Sequence, residues 1–385
     1  MEQKKILWGV CGIGNGHTFR QWPLIQHFAD AGHRIVIFAY GESYDTLSHR
    51  FAKPSNVTVE RVAVPYYVGN AQGLNFEATA KHPANQQDFA TINARAMANA
   101  ERTIGKPDLV ISDYEPTAAQ YAYAHNAPLV TIDQQSKYLA GQFPETLNGQ
   151  GYKDEVMRLR MFFPKADKRI ATTFFRVPPA RNAEEKVDIM PPVLRDEIIG
   201  LKRHPRTDKP SLLVYLTAQQ ALKQPLEEML KALESSPAEC HIFLPPYVQN
   251  TPEDHGNLHF YRHGDKRFEH VLAECNGIVT TAGHTLLSEA MHLGIPVYAM
   301  PLDLYEQQMN AQVIAENGFG VMAPDLTSEK LADFIQNLSR FAENIEKDTT
   351  ILLRNAGQPR IIEALERSFL QSDTPFPLRD TGKGR

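Results

Sequence analysis

Short apolar runs alternate with amphipathic stretches along most of the chain, and glycine, proline or polar residues separate them. Continuous apolar runs of this length are typical of buried parallel strands, and apolar positions three or four apart are typical of helices. Residues 277–318 show the pattern most clearly, since it predicts strand, glycine turn, helix, strand and helix. The repeated strand–helix order predicts an α/β fold with mainly parallel sheets.

The chain has 385 residues, which exceeds the roughly 250–300 residues at which a single core stops growing. We therefore predict two domains, at residues 1–175 and 211–345. Residues 176–210 are rich in proline and charge and predict a linker between them. Residues 346–385 predict a C-terminal helix followed by a tail.

The turn after the apolar run at residues 278–281 carries the most informative chemistry. Gly283 lets the backbone approach a ligand closely, and the N–H groups of Gly283, His284 and Thr285 begin a helix. Such N–H groups bind anions. Glu289 lies one helical turn beyond Thr285, where a carboxylate accepts hydrogen bonds from ribose hydroxyls. The pattern predicts a nucleotide diphosphate site, and its alternative is an ordinary strand–helix turn.

A second polar group follows the next apolar run. Glu306, Gln307 and Asn310 begin a helix at the carboxyl end of that predicted strand. Open α/β sheets bind their ligands at this edge. Carboxylate and amide side chains there suit the hydroxyl groups of a sugar.

These residues lie in the run A-G-H-T-x-x-x-E-A-x-x-x-G-x-P-V-x-x-x-P from Ala282, followed by E-Q-x-x-N-A from Glu306. The combination resembles the donor-binding signature of GT-B glycosyltransferases, which have two Rossmann-like domains facing a central cleft. The resemblance is to the MurG and diacylglycerol-glucosyltransferase branch. It implies that Glu289 holds the ribose, and that Glu306 and Gln307 hold the sugar. The implied donor is a UDP-sugar, which is a substrate, so no cofactor is expected.

A second motif, G-x-G-x-G-H, follows the first apolar run and ends at His17. It departs from the dinucleotide fingerprint because histidine follows the third glycine directly and no acidic residue ends the second strand. It resembles the N-terminal motif of the same glycosyltransferase branch, in which the loop faces the cleft. The resemblance implies an acceptor-side loop containing Gly14, Gly16 and Arg20.

His17 is the predicted catalytic base, with Asp113 as its partner. Asp113 follows the apolar run at residues 107–112, on the same sheet edge as the glycine loop. An imidazole titrates near neutral pH, and a carboxylate on its far nitrogen raises its basicity. The alternative is a histidine that shapes the loop or binds phosphate. A base and a leaving group on opposite walls imply in-line displacement with inversion.

No metal ion is expected in the reaction. The D-x-D motif of metal-dependent sugar transfer is absent, and its nearest approximation is Asp113-Tyr114-Glu115. A helix N-terminus can stabilise leaving-group charge in place of a metal. The three cysteines are widely spaced, which argues against a disulfide framework and a cysteine zinc site.

Net charge and hydropathy limit the kinds of binding partner that the sequence favours. The net charge of −5 provides no basic field for duplex nucleic acid. Apolar runs are too short to span a membrane, so a cytoplasmic protein is expected. Residues 152–169 mix basic and apolar side chains and predict a helix that either touches an anionic membrane or packs on its own domain. The acceptor, whether glycolipid, glycan or small molecule, is not determined.

Two other classes fit the same motifs. One is an isomerase like the nucleotide-sugar 2-epimerases, which share the fold, and the other is a binder of nucleotide sugars without turnover. An epimerase would not need the polar segment at residues 66–87, predicted to be a long irregular loop on the acceptor side, nor the G-x-G-x-G-H motif.

Overall fold

The computed structural model describes residues 2–53, 56–183, 185–216, 224–245, 248 and 252–370. The strands, in chain order, are β1 Lys5–Val10, β2 Arg34–Ala39, β3 Val57–Arg61, β4 Gly69–Asn70, β5 Gly73–Leu74, β6 Leu109–Asp113, β7 Leu129–Asp133, β8 Thr146–Leu147, β9 Gln150–Gly151, β10 Lys168–Thr172, β11 Asp188–Met190, β12 Ser211–Tyr215, β13 Glu239–Leu244, β14 Leu258–Arg262, β15 Gly277–Thr280, β16 Val297–Ala299 and β17 Gly320–Met322.

The helices, in chain order, are α1 Gly16–Asp30, α2 Gly41–Arg50, α3 Phe76–Lys81, α4 Phe89–Thr103, α5 Pro116–His125, α6 Lys137–Ala140, α7 Lys153–Phe162, α8 Asp196–Ile199, α9 Leu226–Glu234, α10 Phe268–Glu274, α11 His284–Leu293, α12 Tyr305–Glu316, α13 Ser328–Gln336, α14 Leu338–Lys347 and α15 Gln358–Leu365. A short 3₁₀ turn at Pro83–Asn85 and a π turn at Glu366–Leu370 complete the description.

The first large sheet has the order β11-β10-β7-β6-β1-β2-β3, and all its strands are parallel. Strands such as β1 and β6 are apolar along most of their length because both faces of the sheet are buried. The strand order reverses between β1 and β6. Their carboxyl ends therefore border a crevice, the usual ligand position in such sheets.

The second large sheet has the order β14-β13-β12-β15-β16-β17 and is also entirely parallel. Its order reverses between β12 and β15, and the glycine turn at residues 281–283 follows β15 directly. Both sheets are thus Rossmann-like, as the sequence pattern predicts. Each places one of the two glycine motifs at its reversal point.

The segment predicted to be a linker contains ordered structure. Residues 188–190 form β11, the edge strand of the first sheet, and α8 follows at residues 196–199. Short elements next to prolines give little periodicity, so the pattern did not reveal them. The first sheet therefore extends beyond residue 175.

The C-terminal helix packs on the first half of the chain. Ile361 and Leu365 of α15 are fully buried in the same apolar cluster as Leu24 and Phe28 of α1. Within residues 346–385, where the pattern predicted a C-terminal helix and tail, α15 begins at Gln358 and has eight residues. The predicted tail, residues 371–385, lies outside the described residues.

The polar segment at residues 66–87 is more regular than predicted. It contains the hairpin β4–β5, helix α3 and a 3₁₀ turn. Asn75 caps α3 by accepting a hydrogen bond from the N–H of Ala78, at 2.9 Å. Polar capping and turn residues therefore fold this segment without an apolar stripe.

Helix α7 occupies only the first part of the predicted basic, apolar segment and contacts its own domain. Arg158 pairs with Asp154 at 2.7 Å and with Glu155 at 2.6 Å. The N–H of Leu74 lies 3.4 Å from the sulfur of Met157. These contacts favour packing on the domain for this side of the helix. Among the described residues, no helix is long and apolar enough to cross a membrane.

Candidate active site

The first glycine turn has the tight geometry that its composition requires. A Cβ on Gly12 would lie 1.9 Å from the carbonyl oxygen of Tyr40, and Gly14 has a φ of +71°. Side chains are therefore excluded at Gly12 and disfavoured at Gly14. The turn ends at Gly16, where α1 begins, and this places His17 in the first turn of that helix.

His17 and Asp113 meet at the reversal point of the first sheet. The Nδ1 atom of His17 lies 2.9 Å from Oδ1 of Asp113, which is fully buried at the end of β6. Arg20 and Gln21 donate to Oδ2 of the same carboxylate, at 3.1 and 3.0 Å. Three donors from α1 therefore hold one carboxylate in a fixed orientation.

The proton on His17 can be assigned from its neighbours. A guanidinium only donates, and Arg20 Nη2 lies 2.8 Å from the same Nδ1 atom. Nδ1 cannot accept from Arg20 while donating to Asp113. We assign the proton to Nδ1, pointing at the carboxylate, because an ionised oxygen is the stronger acceptor. Arg20 then serves the carboxylate, and Nε2 is the ring nitrogen that does not face Asp113.

The same contacts set the charges. Burial lowers the pKa of His17, but the Asp113 carboxylate and Cys11 together outweigh burial and Arg20, and the net shift is upward. Burial also favours protonated Asp113, yet Arg20 and His17 outweigh it and lower the pKa of that carboxyl. The histidine is thus a stronger base than a free imidazole.

The second glycine turn presents an open helix N-terminus. Ala282 has a φ of +62°, and Gly283 is the N-cap of α11, with no heavy atom within 4 Å of a hypothetical Cβ. The N-cap Gly283 has no side chain to accept from the first N–H groups of α11, and no side-chain cap is found among the described residues. Uncapped N–H groups beside open space are the chemistry that binds a phosphate.

His284 follows this turn but lies in a different environment from His17. It is 3% exposed, and its ring centroid lies 5.7 Å from that of Phe174. Burial, followed by the nearby cations Lys137, Arg20 and His17, holds its pKa well below the ordinary value. His284 is therefore neutral at physiological pH.

Glu289 has a protein partner that the sequence did not reveal. Its Oε1 accepts a hydrogen bond from Nε of Arg195 at 3.0 Å, and Arg195 Nη1 donates to Glu269 at 2.8 Å. Burial raises the pKa of Glu289, while Arg195 opposes that shift. A ribose bound here would share the carboxylate with Arg195.

The polar residues at the start of α12 divide into two groups. Asn310 is fully buried and donates to the carbonyl oxygen of Ala282 at 3.1 Å. It therefore supports the second glycine turn, residues 281–283, which is named the donor turn. Gln307 accepts from the N–H of Leu302 at 2.9 Å. Glu306 is only partly buried, and its charge acts on Lys137 of the opposite domain by raising the pKa of that lysine.

Lys137 is a further charged residue at the cleft. It follows β7, is fully buried, and its Nζ donates to the carbonyl oxygen of Gln134 at 3.0 Å. Burial lowers its pKa to about 8, against the opposing effect of Glu306 and Asp133. The sequence analysis did not single out this lysine, because no local pattern indicated its burial.

The two glycine turns touch each other. The hydroxyl of Thr285 lies 3.5 Å from the carbonyl oxygen of Gly16, and a Cβ on Gly16 would lie 3.0 Å from that hydroxyl. Nearby, the rings of Tyr138, Tyr152 and Tyr305 pack with centroids 5.0 to 5.6 Å apart. The predicted base and the predicted phosphate turn therefore share one cleft.

Comparison with known proteins decides the family. Residues 4–339 match the model of Glycosyl transferase family 1. The chain belongs to that family. A relative, an uncharacterised glycosyltransferase of Methanosarcina mazei, is 23% identical, and the match covers 94% of this chain and 98% of the relative.

Solved structures agree in fold. The calicheamicin glycosyltransferase CalG4 superposes with a TM-score of 0.61 at 19% identity, over 95% of this chain and 98% of its own. A UDP-glucosyltransferase from Polygonum tinctorium gives 0.66 at 13% identity, over 97% and 100%. The predicted GT-B fold is confirmed, and the protein is a glycosyltransferase that takes a nucleotide-sugar donor and an acceptor.

In this glycosyltransferase, both acidic residues of Asp113-Tyr114-Glu115 accept hydrogen bonds from protein groups. Asp113 contacts the α1 side chains. Glu115 accepts hydrogen bonds from the N–H groups of Thr117 and Ala118, both at 2.7 Å, and so caps α5. Burial raises the pKa of Glu115 to about 7. The two side chains serve separate structural partners.

The glycosyltransferase cleft gathers most of the residues singled out in the sequence. His17, Asp113 and Arg20 form one cluster, and Gly283 and Asn310 shape the donor turn. The guanidinium of Arg20 contacts Asp113, although the resemblance placed Arg20 in the loop on the side of the acceptor substrate. The roles of these residues in catalysis and binding remain predictions.

Proposed function

We propose that this glycosyltransferase moves a sugar from a UDP-sugar to an acceptor hydroxyl by a single in-line displacement that inverts the anomeric centre, without a metal ion. The observation that carries the proposal is the His17–Asp113 pair, joined at 2.9 Å and adjacent to the N-terminus of α11. A base and an anion site on opposite walls suit attack from one side and departure from the other.

In the proposed step, Nε2 of His17 takes the proton of the acceptor hydroxyl. The hydroxyl oxygen at the same time bonds to the anomeric carbon of the sugar. The bond from that carbon to the diphosphate oxygen breaks, and its electron pair leaves with UDP. The N–H groups of Gly283, His284 and Thr285 stabilise the departing charge. Asp113 stabilises the imidazolium that forms.

Donor recognition is assigned to the second domain. Glu289 accepts from the ribose hydroxyls while Arg195 orients it and favours its ionised form against burial. Glu306 and Gln307 recognise the sugar, so their alanine variants should weaken binding of the UDP-sugar more than binding of UDP. Equal losses for both ligands would remove that assignment.

The sequence left glycolipid, glycan and small molecule open as acceptors. We propose a small-molecule acceptor, and the resemblance of the sequence motifs to the MurG and diacylglycerol-glucosyltransferase branch stays a prediction. The Polygonum tinctorium enzyme is named for glucosylating indoxyl, and α7 of this chain directs Arg158 into ion pairs instead of outward. A cytoplasmic location, with or without peripheral membrane contact, stays a prediction.

A mass-spectrometric screen tests the function. Purified protein is incubated with a panel of UDP-sugars and either phenolic and alcoholic acceptors, a lipid extract, or no acceptor. We expect a β-linked product from a UDP-α-sugar with a soluble acceptor, formed about 10² to 10⁴-fold more slowly by the His17→Ala variant. Product from the lipid extract alone would overturn the small-molecule acceptor and indicate a lipid acceptor instead. Isomerised UDP-GlcNAc without acceptor would establish the epimerase alternative, and UDP-sugar binding without any turnover would establish the non-catalytic binder.

A further inference from the structure

Two histidines and a glutamate converge far from the cleft. Nε2 of His204 and Nε2 of His270 each lie 3.5 Å from Oε1 of Glu274. The three ligand atoms all lie within 4.8 Å of one another. No side chain of this group takes part in the sugar-transfer site.

The cluster is assembled from two segments. His270 and Glu274 are four residues apart on α10 and therefore share one helix face. His204 lies 66 positions earlier than His270, in the segment between the two large sheets. Only the folded chain brings His204 to that face.

The end of α10 holds the His204 segment in place through its own backbone. The N–H of His204 donates to the carbonyl oxygen of Ala273 at 3.1 Å, and the N–H of Arg206 donates to that of Glu274 at 3.1 Å. Arg203 Nη1 donates to the carbonyl oxygen of Cys275 at 2.7 Å. These bonds satisfy carbonyl groups that a helix end leaves unpaired. The histidine is thus positioned before any ligand arrives.

The tautomer of His204 is also suitable. Its Nδ1 lies 3.1 Å from the carbonyl oxygen of Lys202, an acceptor only, so Nδ1 carries the proton. The lone pair is then on Nε2, which is the atom directed at Glu274. Metal-binding histidines are commonly oriented by such a bond from the other ring nitrogen.

We propose that His204, His270 and Glu274 bind a divalent transition-metal ion of the Zn²⁺ class. Two imidazole nitrogens and one carboxylate oxygen are a ligand set that Zn²⁺ accepts, with water in the fourth position. Ligand atoms about 2.1 Å from a tetrahedral ion are about 3.4 Å apart, close to the two 3.5 Å separations. The exposed imidazoles, 61% and 67%, can rotate to close the third. Mg²⁺ and Ca²⁺ prefer oxygen ligands.

The ion would act on the fold and not on the reaction. Glu274 lies just before β15, at the amino edge of the second sheet, whereas the donor turn follows β15 at the carboxyl edge. A four-residue strand separates the two by about 13 Å. The ion would tie the segment carrying His204 to α10. That segment also carries Arg195, the partner of Glu289.

The test uses the full chain stripped with EDTA and dialysed free of it. Zn²⁺, Co²⁺ and Mg²⁺ are titrated separately by calorimetry and by thermal melting. We expect one Zn²⁺ per chain, visible absorption from bound Co²⁺, a melting temperature that rises with Zn²⁺, and no response to Mg²⁺. His270→Asn and Glu274→Gln should each weaken Zn²⁺ binding about tenfold or more, while the metal-free variants melt like the metal-free parent.

His255→Asn is the matched control. His255 is exposed, and its Nδ1 makes the same kind of contact, 3.0 Å to the carbonyl oxygen of Glu253 two residues earlier. It does not belong to the three-residue cluster. This variant should bind Zn²⁺ like the parent. Absence of stoichiometric Zn²⁺ binding by the parent, or equal weakening in the control, would overturn the proposal.

Discussion

Two Gly-His pairs begin helices at equivalent places in the two halves of this glycosyltransferase. Gly16-His17 opens α1 after β1, and Gly283-His284 opens α11 after β15, each where the strand order of its sheet reverses. The pKa of His17 is raised, whereas that of His284 is held well below its ordinary value. The surroundings of His17 therefore favour its protonated form, and those of His284 favour its neutral form.

The difference arises from neighbours supplied by other elements. β6 delivers Asp113 to within 2.9 Å of His17. His284 is buried against Phe174, and the charges nearest to it, Lys137, Arg20 and His17, are cationic. The same dipeptide on the same kind of turn therefore suits proton transfer in one half and neutral contact with a diphosphate in the other.

Replacing each of the two histidines with alanine should have the largest effect, and the two variants should differ in which kinetic constant changes. Since general-base assistance contributes about 10² to 10⁴-fold, His17→Ala should lower kcat by that order with little change in UDP affinity. His284→Ala should alter donor KM more than kcat. Steady-state kinetics with a fixed acceptor, together with UDP binding by thermal shift, measure both. Similar losses of kcat in the two variants would remove the distinction.

Asp113→Asn should have a smaller effect on rate but a diagnostic effect on pH dependence. The base must be neutral, so kcat/KM should increase with pH through the raised pKa of His17. Asp113 is the larger of the two groups that raise that pKa, so removing its charge leaves Cys11 alone against burial and Arg20, and the acidic limb should move to lower pH. The pH profile of kcat/KM checks this. A limb that stays in place would show that another group controls it.

Glu289→Ala should weaken donor binding by a moderate amount. A lost hydrogen bond to a charged group costs about 1 to 3 kcal/mol, so protection of the fold by UDP should fall accordingly. Arg195 would lose a partner in this variant, so melting temperatures are compared with and without UDP for each protein. Undiminished protection of the variant would mean that Glu289 serves only its ion pair with Arg195.

EDTA should have the smallest effect. The uncapped start of α11 is proposed to stabilise the leaving group, so sugar transfer should persist within a few-fold after chelation. Loss of an ion at His204, His270 and Glu274 should change the melting temperature without changing kcat. Complete inactivation that Mg²⁺ or Mn²⁺ reverses would instead place a metal at Asp113 and Glu115.

The sequence by itself determined the features that depend on neighbouring residues. Strand and helix periodicity predicted two parallel sheets, and glycine at positions such as Gly12 and Gly283 predicted close turns at helix starts. The pairing of His17 with Asp113 was also predictable, although 96 positions separate them. Carboxyl ends of adjacent parallel strands meet at one edge, so knowledge of the fold class was sufficient.

Only the tertiary structure decided contacts that depend on how separate segments dock. Arg195 reaches Glu289 across 94 positions, and His204 reaches α10 from the predicted linker. Neither segment has the periodicity that would have indicated its location, and β11 is too short to show one. Burial of Lys137 and neutrality of His284 likewise depend on how the folded chain surrounds them, because desolvation and facing charges depend on the distance between groups, which local pattern does not encode.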